Sequence, residues 1–299
     1  MSSAASSAFR CAAAAAQRGD SQLGTAAPAH RWLLIEHLGP WGFAAVAESG
    51  IDPPVLRELR NAAAAAGARI LLIRRPGRRQ PGGVRRWAVI SYDGAAVWGG
   101  WSDDGQLLAA ADALRAPPRG GRAEPVLLVC AHGVHDPCCA VWGRPVAAAL
   151  QQEWPDWTWE CSHVGGDRFA PNLVLLPDGA YYGGLSPADA VATVRAHLDG
   201  AVRVQHLRGL STMSPPAQTA AIAAHARYGP AGAREIGVAT VETLGEQHYA
   251  VELHGSGAVP TRLRAEVRGY RQPAALLTCR ASAEVVSVRY VVEALEVCS

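Results

Sequence analysis

The chain contains no lysine; all 28 of its cationic side chains are arginine. With alanine so abundant, that pattern reads as the coding bias of a GC-rich genome rather than selection for arginine chemistry. The arginines at 74, 75, 78, 79, 85 and 86 are therefore expected to form a solvated loop. Charge is sparse at 18% of residues, and the formal net charge is only +2. So small an imbalance implies neither a nucleic-acid-binding field nor an acidic tail. No run of about 20 apolar residues occurs, so no membrane-spanning helix is expected. The first twenty residues lack a basic n-region and a strongly apolar h-region, which argues against a secretory signal. A reducing, cytoplasmic setting is the expectation. Seven cysteines, an odd number, make no disulfide framework at this length. Missing too are C-x-x-C, G-x-G-x-x-G, the P-loop, G-x-S-x-G and H-E-x-x-H, each the sequence mark of a well-known chemistry.

What is present suffices for ordered cores. The 299 residues are 49% apolar, enough for one large domain or two modest ones. Residues 1–24 read as a leader, with alanines 12–16 favouring helix. A buried strand at 32–36 is broken by Gly39-Pro40-Trp41-Gly42. A helix at 54–66, a strand at 70–73, a hairpin turning at Asp93-Gly94 and a helix at 106–115 follow. Pro117-Pro118-Arg119-Gly120-Gly121-Arg122 is the clearest linker. The pattern then restarts: a strand at 125–130, a polar loop at 131–137 and a helix at 144–153 with Pro145 in its first turn. A strand at 157–162, a hairpin turning at Asp178-Gly179 and a helix opened by Ser186-Pro187-Ala188-Asp189 complete it. Both halves thus repeat one order, that of a thioredoxin-like domain. The expected fold is α/β, with tandem thioredoxin-like domains at 25–118 (degenerate) and 123–204. A smaller α+β extension is expected at 205–299, from a helix at 215–227 and strands at 236–243, 248–253, 261–268 and 285–296.

Reactive side chains concentrate between Cys130 and Asn172. One segment reads Cys130-Ala131-His132-Gly133-Val134-His135-Asp136-Pro137-Cys138-Cys139, the other Glu160-Cys161-Ser162-His163-Val164-Gly165-Gly166-Asp167-Arg168-Phe169. Each opens at the end of a strand, where an α/β sheet presents its ligand edge. Thiolate with imidazole selects zinc, copper or iron–sulfur centres. Structural zinc prefers ligand pairs two to four residues apart, and Cys130 and Cys139 are spaced more widely. Their long loop suits a cluster whose two irons each need a pair of ligands. Gly165 and Gly166 permit close backbone approach, and a helix starting after Cys138 and Cys139 would favour thiolate there. Cys161 and His163 share one face of an extended segment, and His163 and Asp167 can converge around the glycines. Cys11, Cys279 and Cys298 read as inert packing. Adjacent Cys138 and Cys139 leave open a thiol–disulfide or peroxide-handling oxidoreductase.

The runs C-A-H-G-V-H-D-P-C-C and E-C-S-H-V-G-G-D-R-F-A-P-N, followed by L-P-D-G, resemble the sucrase/ferredoxin-like family of thioredoxin-like ferredoxins. The early G-T-A (Gly24 to Ala26) and G-P-W-G (Gly39 to Gly42) are similar to its bacterial members. The resemblance implies a [2Fe–2S] cluster held by two cysteines and two histidines, matching Cys130, Cys139 and His163. The second histidine falls at Asp167, so the fourth ligand is open among Cys161, Asp167 and Cys138, and Cys161 is the softer donor. His132, His135, Asp136 and Arg168 would hydrogen-bond ligands and sulfides. Such a protein would carry electrons to or from an unidentified redox partner protein, with no nucleic-acid or membrane partner.

Overall fold

The computed structural model describes residues 9–77, 83–116 and 123–298. The linker at 117–122 and the arginines at 78 and 79 fall outside them. Helix α1 (Cys11–Arg18) comes first, followed by β1 (Arg31–Glu36), α2 (Pro53–Ala65), β2 (Ala68–Arg74), β3 (Arg85–Ser91), β4 (Ala96–Trp101) and α3 (Leu108–Arg115). The order then repeats as β5 (Val126–Cys130), α4 (Pro137–Glu153), β6 (Thr158–Cys161), β7 (Asn172–Leu176), β8 (Ala180–Gly183) and α5 (Pro187–Leu198).

These strands and β9 (Leu207–Leu210) form one mixed nine-stranded sheet, in the order β4-β3-β1-β2-β6-β5-β7-β8-β9. Within the first half β1 and β2 are parallel, β3 runs antiparallel to β1, and β4 antiparallel to β3. The second half repeats this with β5, β6, β7 and β8. The halves meet where β2 and β6 pair antiparallel, Ile73 opposite Cys161 and Arg74 opposite Glu160. At that seam Arg74 Nε donates to Glu160 Oε2 at 2.8 Å, with both side chains buried. Arg74 also lies over Trp41 and Arg75 over Trp159, at 4.0 and 3.6 Å from the ring centroids. The solvated-loop expectation fails for these two arginines, where indole faces and a buried carboxylate replace water, and for Arg85 and Arg86, which lie in β3 with Arg85 over Trp101.

The central stretches of the inner strands, such as Leu33–Ile35, Leu71–Ile73, Val126–Cys130 and Leu173–Leu176, are apolar on both faces because both sheet faces are covered there. Leu127 and Val129 face α4 and α5, whereas Val126, Leu128 and Cys130 face the opposite side. In the first half Leu33 and Ile35 face α2 and α3, and Trp32 and Leu34 point the other way. The helices thus cover the halves separately on one face. On the other, Trp32, Leu34 and Ile73 join Leu128, Cys130 and Cys161 in one apolar layer.

Helix α4 begins earlier than its sequence suggests. Asp136 is its N-cap, accepting the Cys138 N–H at 2.8 Å, and Pro137 occupies the first turn. Such a cap satisfies a donor the helix cannot, and proline there loses nothing. Pro145 consequently sits inside the helix rather than at its start, where it removes one intrahelical bond. Cys138 and Cys139 are therefore helical residues. At α5 the expected cap holds: Ser186 Oγ accepts the Asp189 N–H at 3.0 Å.

After β9, which extends the large sheet beside β8, α6 (Pro215–Tyr228) packs on a separate antiparallel sheet. It comprises β10 (Ile236–Gly245), β11 (His248–Gly255), β12 (Arg262–Arg271) and β13 (Val288–Val297). Val251, Leu253, Leu263, Ala265 and Val267 alternate inward to meet α6, the pattern of a sheet with one wet face. The segment from 272 to 287 returns Cys279 to the start of α4, against Cys11 and Cys138. Among the described residues, no helix is long and apolar enough to cross a membrane.

Candidate metal centre

Strands β5 and β6 end side by side, Cys130 in register with Cys161. From these ends the chain enters two loops, 131–136 and 162–171, before α4 and β7. The loops and the first turn of α4 bring one thiol or imidazole atom each from Cys130, Cys139 and His163 within 4.8 Å of one another. His135, His163 and Asp167 form a second, overlapping group of the same size. Asp167 sits between: its Oδ1 is 2.9 Å from His163 Nδ1 and accepts the Cys139 thiol at 3.2 Å. Its Oδ2 lies 3.8 Å from His135 Nε2. The imidazoles of His135 and His163 stack with centroids 3.8 Å apart.

Charge within this cluster is strongly organised. The adjacent Cys139, helped by His163, outweighs burial and holds Cys130 well below the usual thiol range. Cys139 itself is driven up, first by Cys130 and then by burial. Burial opposes the His163 imidazolium, yet Asp167 and Cys130 carry it up to about 9. Burial likewise opposes the Asp167 carboxylate, and His163 holds it below its ordinary value. These shifts favour the protonated form of His163 and the anionic forms of Cys130 and Asp167. A metal that takes these atoms displaces protons, because thiolate and neutral imidazole are the ligating forms.

The first half of the chain supplies part of the wall. His132, buried, contacts the Gly42 carbonyl through Nε2 at 2.7 Å, while its Nδ1 accepts the His163 N–H at 3.3 Å. Those partners assign the proton to Nε2 and keep the ring neutral; burial also pushes its pKa down. Trp41 meets His132 edge-on at 5.8 Å, and Phe43 stacks on His135 at 4.8 Å. The G-P-W-G turn and the Phe43 that follows it therefore brace His132 and His135, a role their sequence did not announce.

Several expected site residues lie elsewhere. Cys161 is buried beside Cys130 in the apolar layer with Trp159 and Val164, but belongs to no ligand group among the described residues. It shares that layer and its strand register with Cys130, yet only Cys130 brings its sulfur within 4.8 Å of donors from both Cys139 and His163. Asp136 belongs to neither ligand group here: its Oδ1 caps α4 and its Oδ2 accepts the Cys279 N–H at 2.6 Å. Arg168 pairs with Asp20 at 3.3 Å and lies over Phe169.

Gly165 and Gly166 do adopt left-handed φ values of 94° and 79°. What approaches them is a buried arginine that the sequence reading passed over. Arg208 donates to the Gly165 carbonyl at 2.9 Å, to Asn172 Oδ1 at 2.7 Å, and to Thr25 Oγ1 and O at 3.1 and 2.5 Å. A Cβ on Gly166 would collide with its guanidinium. Arg208 thus ties the early G-T-A turn to the glycine loop that carries Asp167.

The sequence model of the family described as sucrase/ferredoxin-like matches residues 22–209, more than half of the chain and all of the cluster at Cys130. No curated protein and no solved structure matches the chain.

Proposed function

The chain belongs to the sucrase/ferredoxin-like family, and on that premise we propose that it is an electron carrier that holds a [2Fe–2S] cluster. The observation that carries this reading is the convergence of Cys130, Cys139 and His163 within 4.8 Å. These donors suit such a cluster: two buried thiols, one already biased to thiolate, and an imidazole pair. We assign Cys130 and Cys139 to one iron and His163 with His135 to the other, the division seen where histidines replace two cysteines. Asp167 keeps a second role, holding the His163 ring. Bound there, the cluster would exchange one electron at a potential raised by neutral imidazole in place of thiolate.

The surrounding residues support that use. His132 fixes the backbone of His163 and shields it from the inner side. Phe43, 52% exposed, and His135 form a stacked edge reaching solvent, which offers an unidentified redox partner protein an approach to the centre. The repeated strand order of the two halves supports tandem thioredoxin-like domains, the first having lost its ligands and kept its bracing turn. We place this carrier in the reducing cytoplasm, on composition alone.

The competing reading, thiol–disulfide or peroxide chemistry, would pair Cys139 with Cys130, within 4.8 Å of each other, since Cys138 and Cys139 do not face one another on the helix. Adjacent residues there point about 100° apart, Cys138 toward Cys279 and Cys139 toward Asp167. Anaerobic purification or reconstitution should give brown protein with about two irons and two acid-labile sulfides per chain. Both should be lost in Cys130→Ser. Colourless protein that refuses iron and sulfide, or insulin reduction dependent on Cys139, would overturn the proposal.

A further inference from the structure

A second constellation lies behind the first, on the other side of Cys139. Cys11 from α1, Cys138 from the first turn of α4, Cys279 from the 272–287 segment and Asp136 each bring one thiol or carboxylate atom within 4.8 Å of the others. The Cys279 sulfur is 3.4 Å from that of Cys138 and 3.5 Å from that of Cys11. The Cys11 sulfur is 3.5 Å from Asp136 Oδ2. We propose that Cys11, Cys138, Cys279 and Asp136 form a structural zinc site, separate from the centre at Cys130.

Three arguments support it. The first is size. A tetrahedral zinc with bonds near 2.3 Å to sulfur sets its ligands about 3.7 Å apart, close to the three separations above. The second is charge. Asp136 is wholly buried, and among the described residues no arginine or histidine faces its carboxylate. Its partners are the Cys138 and Cys279 N–H groups and the Cys11 thiol. A buried carboxylate wants a cation or full hydrogen bonding, and the thiols around it are the ligands a soft divalent cation prefers. The third is the donor set. Three sulfurs and one oxygen in four-fold array favour zinc, whereas hard oxygen cages favour calcium or magnesium.

The backbone is arranged to receive such a site. The Cys11 N–H points at the Cys279 sulfur at 3.3 Å, the kind of second hydrogen bond that orients ligating atoms. The start of α4 adds its helix dipole to the offset of negative charge. The consequence is a clamp across the chain: zinc would fix α1, the loop carrying His135 and the returning C-terminal segment to one another. Because Cys138 and Cys139 are neighbours, this clamp would also hold the helix turn that presents Cys139 to the other centre.

The inference does not depend on the iron–sulfur reading, and the experiment separates the two. Full-length protein with its thiols reduced, freed of metal and then given zinc alone, should bind one equivalent that Cys11→Ser and Cys279→Ser each weaken at least tenfold. Cys130→Ser should leave that equivalent in place. Cobalt in its stead should give sulfur-to-cobalt charge transfer and the intense visible bands of a tetrahedral site, diminished in the same two variants. Zinc should also protect Cys279, which is partly exposed, from alkylation in the unaltered protein, a measurement that requires no variant to fold. Failure to take up zinc, uptake indifferent to Cys11→Ser and Cys279→Ser, or a disulfide among the three thiols as purified under reducing conditions would each overturn it.

Discussion

The ring of His135 lies flat on that of His163, their centroids 3.8 Å apart and their planes 23° from parallel. One ring comes from the loop after β5 and the other from the loop after β6. Their contact turns two separate sequence motifs into a single surface of the centre. It also supplies an imidazole pair although the position expected for a second histidine holds Asp167.

This pairing makes the two candidates for the last ligand separable. His135→Ala should lower iron retention at least tenfold and change the spectrum of what remains. Asp167→Asn keeps the shape but removes the charge that orients His163; it should weaken iron binding by about tenfold, in the range of outer ligand supports, with the spectrum preserved. An unchanged spectrum in His135→Ala would transfer the ligand role to Asp167.

Cys161 offers the opposite case. Its thiol is buried in the apolar layer and outside the ligand groups. Cys161→Ala should therefore keep iron content within about twofold of the unaltered protein and cost about 1 kcal/mol of stability through the lost packing. Iron analysis beside a denaturant titration reads both. Loss of iron equal to that in Cys130→Ser would restore Cys161 to the ligand set.

Arg208 holds two motifs together through Thr25, Gly165 and Asn172. Arg208→Leu should destabilise the fold by about 3 kcal/mol or more, because it leaves several buried oxygens without donors. Arg208→Lys should recover only part of this, since one ammonium cannot reproduce the planar fork. A melting temperature equal to that of the unaltered protein would refute the assignment.

His225 on α6 predicts a pH effect. Burial alone holds it down to about 4, and neither ring nitrogen has a partner. In the unfolded chain it titrates near 6.5. Between those values the unfolded state binds more protons, so this contribution is complete above about pH 6.5 and is lost as pH falls toward 4. The loss amounts to about 3 kcal/mol at most. His225→Leu should flatten the pH dependence of unfolding by that amount, and an unaltered slope between pH 7 and pH 4 would count against it.

Much of the architecture was legible without coordinates. Buried strands such as Val126–Cys130 and Asn172–Leu176 announce themselves as apolar runs, and the two Asp-Gly turns mark their hairpins. The Ser186 cap was equally plain. The start of α4 was not: Pro145 imitates a first-turn proline, while the true signal, Asp136-Pro137, was hidden inside a motif read for its ligands.

Local order along the chain is governed by interactions within a few residues, and those are written in the sequence: turn chemistry, caps and apolar periodicity. Which side chains meet across longer separations is decided by how the sheet halves join and how the ends return. Sequence alone therefore brought Cys130, Cys139 and His163 under suspicion. Only tertiary structure placed Gly42 on His132, Arg208 behind Gly166, and Cys11 and Cys279 beside Cys138. Such contacts depend on chain closure over many tens of residues, and no local propensity encodes where so long a loop will end.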